Sequence, residues 1–133
     1  MMKKATFLLP LAVLLLSATG CRQESKTERY MREARQLTAQ CPMVLDACTQ
    51  MDSLTYDKEG HRFTYSYTVT NVHDSLLLMQ QAELREQLLQ RLANSPEMRP
   101  YMEDSMNFCY IYYSGGKALL QFSFSPADYR EVP

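Results

Sequence analysis

Four tyrosines stand where they could act together. Tyr65 and Tyr67 alternate along one extended segment, and Tyr110 and Tyr112 along another, with Phe63 and Phe108 in phase. Paired across a sheet, they would form an aromatic ladder. An exposed row of phenols can stack on sugars or grip a peptide, because the ring supplies area and the hydroxyl a polar handle. The same row under a layer of helices is core with its hydroxyls at the rim. Both readings stand on sequence alone, the core reading first. The other candidates are weaker. His61 and His73 bracket the first tyrosine segment, and a continuous strand would hold them roughly 35 to 40 Å apart. They cannot share a metal. Glu103 and Asp104 are adjacent and point different ways on a helix, as a solvated helix end does. No zinc, calcium, phosphate-loop or nucleophile-elbow spacing is present. The expectation is therefore a protein that is not an enzyme, with no catalytic residue, no metal site and no cofactor.

The elements that must position these residues are readable from periodicity. Ser25-Lys26-Thr27-Glu28 has the form of a capping box and starts a helix, along which Tyr30, Ala34, Leu37 and Cys41 recur and Glu28 faces Arg32. Pro42 ends it. Leu54 and Tyr56 lead into a turn at Asp57-Lys58-Glu59-Gly60, and strict alternation from Phe63 to Thr70 predicts the second arm of a hairpin. Asn71 or Asp74 caps a second helix with an apolar stripe at Leu77, Leu84, Leu88 and Leu92, flanked by Leu78 and Leu89. Ser95-Pro96-Glu97 opens a short third helix. Two more strands follow, joined through Gly115-Gly116, and after Pro126 the tail reads as polar and loose. The order is αββααββ. The predicted fold is α+β, an antiparallel sheet of about four strands in two hairpins with helices on one face.

The N-terminus carries an address. Met1 to Lys4 is a short positive start, and Ala5 to Leu16 is an apolar run too short to span a bilayer. Ala18-Thr19-Gly20-Cys21 resembles the lipobox of bacterial lipoproteins, although Ala18 replaces the usual Leu. The resemblance implies that residues 1–20 are a signal peptide and that Cys21 becomes a lipidated N-terminus carrying acyl chains such as palmitate. It also implies an anchor without a transmembrane helix. Arg22, rather than Asp, follows the cysteine, which by the same resemblance favours the outer membrane. Residues 21–24 then form a tether of on the order of 10 to 15 Å, and residues 25–133 a single α+β domain.

The chain has 133 residues, 46% hydrophobic and 22% charged, the balance of a soluble globular domain. Without Lys3 and Lys4, 12 Lys and Arg face 15 Asp and Glu. No basic cluster appears, so nucleic acid is not an expected partner. With Cys21 lipidated, Cys41, Cys48 and Cys109 remain, and one disulfide plus one free thiol is the simplest count. Closing 41 to 48 is worth about 2.5 kcal/mol and closing 41 to 109 about 4.4 kcal/mol, which does not choose between them. Cys109 in Phe108-Cys109-Tyr110 reads as structural.

The body resembles a group of short, uncharacterised bacterial cell-envelope proteins. The resemblance rests on Cys41-Pro42, Asp46, Thr49, Tyr65-Ser66-Tyr67-Thr68, Pro96-Glu97-Met98-Arg99 and Tyr110-Ile111-Tyr112. The functional expectation is a lipid-anchored, non-enzymatic binding module of the envelope. It would meet the membrane through its lipid and an envelope protein or glycan through its sheet face, Tyr65, Tyr67, Tyr110 and Tyr112, or its loops. The alternative is an inhibitor or immunity-type protein that inserts an acidic loop, Asp52 to Glu59, into an envelope enzyme.

Overall fold

A computed structural model describes residues 23–133. The expected signal peptide, Cys21 and the start of the expected tether lie outside the described residues. Among the described residues, no helix is long and apolar enough to cross a membrane.

Helix α1 (Lys26–Ala39) begins at Ser25, whose Oγ accepts the Glu28 N–H at 3.1 Å. The predicted Glu28–Arg32 pair gives way to a two-pronged one, Arg32 to Glu24, at 2.9 Å on each oxygen. A two-residue strand β1 (Met43–Val44) follows, then β2 (Thr49–Asp57) and β3 (Arg62–Val69). The connection over residues 70–106 holds α2 (Asp74–Met79), α3 (Gln81–Ala93), a 3-10 turn (Pro96–Met98) and α4 (Arg99–Glu103). Strands β4 (Asn107–Ser114) and β5 (Lys117–Phe124) and helix α5 (Pro126–Arg130) complete the chain.

The five strands lie in sequence order, β1-β2-β3-β4-β5. Both predicted hairpins form. They meet through a parallel pairing of β3 with β4, so the sheet is mixed rather than antiparallel and has five strands rather than four. The cause is the long helical connection, which carries the chain back to the starting end of β3 before β4 begins. Gly115 and Gly116 both take positive φ, 58° and 81°, as a two-residue I′ turn demands.

The second helix breaks at Gln80 into α2 and α3. Asp74 does not cap it, because its carboxylate accepts the Ser114 hydroxyl at 2.6 Å instead. The tail expected to be loose is helix α5. Ser125 and Asp128 form a full capping box there, and buried Tyr129 donates to the carbonyls of Met106 and Met102.

Alternation sends Phe63, Tyr65, Tyr67, Phe108, Tyr110, Tyr112, Leu120, Phe122 and Phe124 to the helix-covered face, with Tyr30 and Ala34 of α1 and Leu89 and Leu92 of α3 packed on them. The opposite face carries Thr64, Ser66, Thr68, Cys109 and Ile111. On the edge strand, β1 pairs only with Gln50 and Met51. Thr38 covers the next stretch: its hydroxyl accepts the Leu54 N–H at 2.9 Å and donates to the Leu54 carbonyl at 2.8 Å. A helix side chain thus blunts an open strand edge, the usual site of unwanted pairing.

The segment Asp52 to Glu59 is not a loop. It lies in β2 up to Asp57, and Asp52 accepts from Gln50 and Thr68 at 2.8 and 2.5 Å. Nor does a disulfide form among the described residues, where Cys41, Cys48 and Cys109 are free thiols. Cys41 ends the helix layer and donates to the Leu37 carbonyl, while Cys109 sits beside Ser123 on the far side of the sheet. The sheet itself separates them.

Candidate binding trough

The parallel register of β3 and β4 sets Tyr65 beside Tyr110 and Tyr67 beside Tyr112. Their ring centroids are 5.0 and 4.9 Å apart and their planes within 11° and 17° of parallel, and Tyr67 also stacks on Tyr110 at 6.3 Å. The separation is close to the strand spacing. The rings therefore stand up from the sheet and lean on one another, so the stacked faces are occupied. What the row turns toward the helices is ring edges and hydroxyls. A sugar-stacking platform of the kind the sequence allows would need those faces open.

The hydroxyls differ in their partners. Tyr65 reaches the Met98 sulfur at 3.9 Å, a weak contact. Those of Tyr67, Tyr110 and Tyr112 have no hydrogen-bond partner among the described residues, and no fully buried side-chain polar atom there lacks one. The three hydroxyls thus open onto solvent-accessible space. Burial raises the pKa of all four phenols above the ordinary tyrosine value, so the row is neutral and can donate as well as accept. At Tyr112 the nearby Arg91 charge opposes that rise and Asp46 adds to it.

That space is a trough of two adjoining compartments. One, of about 270 Å³, lies over the four tyrosines and is walled by Leu88, Leu92 and Met98. The other, of about 420 Å³, lies beyond Tyr112 between the loop at Leu45 to Cys48 and the leucines of α2 and α3. Leu45, Leu88, Arg91 and Tyr112 line both. An apolar concavity of this size with a few convergent polar groups is the usual form of a ligand site.

A second constellation escaped the sequence reading. Asp104, expected at a solvated helix end, accepts from the Tyr30 hydroxyl and from Lys26 at 2.9 Å, which together hold its carboxyl below the ordinary aspartate value. His61 lies between the Asp104 carbonyl, 2.8 Å from Nε2, and the Tyr56 hydroxyl, 2.8 Å from Nδ1. A carbonyl only accepts, so Nε2 carries a proton, and in the neutral ring Nδ1 accepts the Tyr56 hydroxyl. Tyr101 donates to Glu33 at 2.7 Å, and burial, followed by that contact, pushes its phenol up to about 12. No base in this cluster is free. It ties α1, the β2–β3 turn and the end of α4 together, and His61 and Ser105 hold positive φ, 45° and 59°, to make the tie. The separation of Tyr30, His61 and Asp104 along the chain hides it from any local pattern. His73 sits at the other end of β3, as the N-cap of α2.

Fold and trough define a small α+β domain with a mixed five-stranded sheet and an aromatic-floored cavity beneath its helices. The chain belongs to the family described as domain of unknown function DUF8479, whose model matches residues 25–120. The fold is similar to that of a Pseudomonas aeruginosa protein inferred to be secreted, whose crystal structure superposes with a TM-score of 0.65. The two are 13% identical over 74% of this chain and 88% of the other. No curated protein matches the chain.

Proposed function

We propose that this protein is a non-enzymatic binding module of the bacterial envelope, anchored at the outer membrane by lipid on Cys21. Its recognition site is the trough over Tyr65, Tyr67, Tyr110 and Tyr112. The observation that carries the reading is the set of two buried tyrosines, Tyr67 and Tyr110, and half-buried Tyr112, whose hydroxyls open into an apolar cavity without a partner among the described residues. Because these hydroxyls reach solvent-accessible space, a ligand that displaces the water there can take up their hydrogen bonds. The lipobox-like run before Cys21 and the secretion inferred for the structural relative support an extracytoplasmic setting. The short tether keeps the trough close to the bilayer.

Cys48 lines the larger compartment and supplies the test. In full-length chain carrying Cys21→Ser and Cys41→Ser, alkylation of Cys48 is timed with and without lipid, glycan and peptide fractions of the envelope. At least one fraction slows it severalfold if the trough is a binding site. An unchanged rate in all three contradicts the reading.

A further inference from the structure

The trough has chemistry enough to name the class of its ligand, given the reading that it is the binding site. The larger compartment is aliphatic, walled by Val69, Val72, Leu77, Leu84 and Leu120. Arg91 is the cation lining either compartment, it stands where they join, and it forms no ion pair among the described residues. Asp46, the carboxylate lining the larger compartment, is engaged by the Cys48 N–H at 2.8 Å. Two exposed apolar segments border the trough. Val44, 79% exposed, adjoins Leu45 on one side, and Leu76, Leu78 and Met79, the last 82% exposed, surround Leu77 on the other. Exposed apolar groups clustered in this way mark contact with apolar partners or membranes.

Two other ligand classes fit less well. The tyrosine faces that a sugar would stack on are occupied by neighbouring tyrosines. The floor is the middle of the sheet, where both strands are already paired on each side, so an extended peptide would gain no main-chain bonds there.

We infer that the trough takes a single-chain anionic amphiphile, with its alkyl chain in the aliphatic compartment and its head group at Arg91, hydrogen-bonded by the Tyr112 hydroxyl. The exposed apolar side chains next in sequence to the lining Leu45 and Leu77 would suit an approach to an apolar surface such as a bilayer. A carboxylate and a phosphate monoester share this chemistry, and the test separates them.

Full-length chain carrying Cys21→Ser is titrated calorimetrically with decanoate, dodecanoate, dodecyl phosphate and dodecyltrimethylammonium, each below its micelle concentration. Affinity should rise about fourfold per added methylene. The cation should bind at least tenfold more weakly than the anions. Whichever anion binds more tightly identifies the head group. Arg91→Gln, an exposed change that leaves the core intact, should remove the preference for anions while keeping the chain-length dependence. Equal binding of anion and cation, no dependence on chain length, or an Arg91→Gln protein that still prefers anions would overturn the inference. If a glycan or peptide fraction shields Cys48 while the alkyl series does not bind, the ligand class is wrong and the binding reading survives. If nothing shields Cys48 and nothing in the series binds, both fall.

Discussion

The two ends of the helix-covered face hold tyrosines in similar surroundings and treat their hydroxyls in opposite ways. Around Tyr30, each phenol is answered by the protein: Tyr30 by Asp104, Tyr56 by His61, Tyr101 by Glu33. Around Tyr112 the hydroxyls of three phenols face a cavity. Satisfied polar clusters fix one conformation, and solvent-facing ones at a cavity wall stay available for recognition. The first end is a clasp and the second is the proposed site, although composition alone would not separate them.

The comparison can be broken by mutation, beginning at the clasp. Tyr30→Ala removes a fully buried ring and leaves Asp104 with Lys26, and should cost about 3 to 5 kcal/mol by urea denaturation. Asp104→Asn should cost about 1.5 to 3 kcal/mol at neutral pH, since it weakens charged hydrogen bonds to Tyr30 and Lys26. It should also alter the acid limb. The folded pKa of Asp104 lies below the ordinary value of 3.8. Its contribution is therefore present above that value and lost as pH falls toward the lower folded one. Denaturation midpoints from pH 6 down to 2 should decline less steeply in Asp104→Asn than in the parent; identical slopes would show that Asp104 is not held by the clasp.

A smaller effect is expected at α5. Ser125→Ala removes one half of its capping box and should cost about 1 kcal/mol, read as a lowered denaturant midpoint at unchanged slope. The smallest belongs to the trough. Tyr112→Phe deletes a hydroxyl with no partner among the described residues and should shift stability by no more than about 0.5 kcal/mol in either direction. Tyr30→Phe, the same substitution at the clasp, should cost several times more. Equal costs at the two positions would erase the distinction.

How much of this was legible in the chain follows from the range of the forces involved. Period-two runs, the Ser25 cap and Gly115-Gly116 are local, and the elements they mark are found. The relative direction of the two hairpins is not local. It depends on a connection of helices whose length suits either direction, so the parallel β3–β4 pair could not be read from alternation. Helix α5 is a different case: Ser125, Pro126 and Asp128 are a strong start signal, outweighed by a polar composition and a position near the chain end. The tyrosine row was visible as a pattern, but whether its faces or its hydroxyls would be offered depended on β3 and β4 being adjacent. The clasp joins residues as much as 78 positions apart, Lys26 and Asp104, and leaves no local trace.

The most direct test of the central claim is native mass spectrometry of the protein released gently from its own membrane, beside a variant in which Tyr67, Tyr110 and Tyr112 are all changed to phenylalanine. The account predicts a bound small molecule on the parent, none or much less on the variant, and the same unfolding temperature for both once they are stripped of ligand. A parent without adducts, or a variant that carries the same adduct in the same amount, would contradict it.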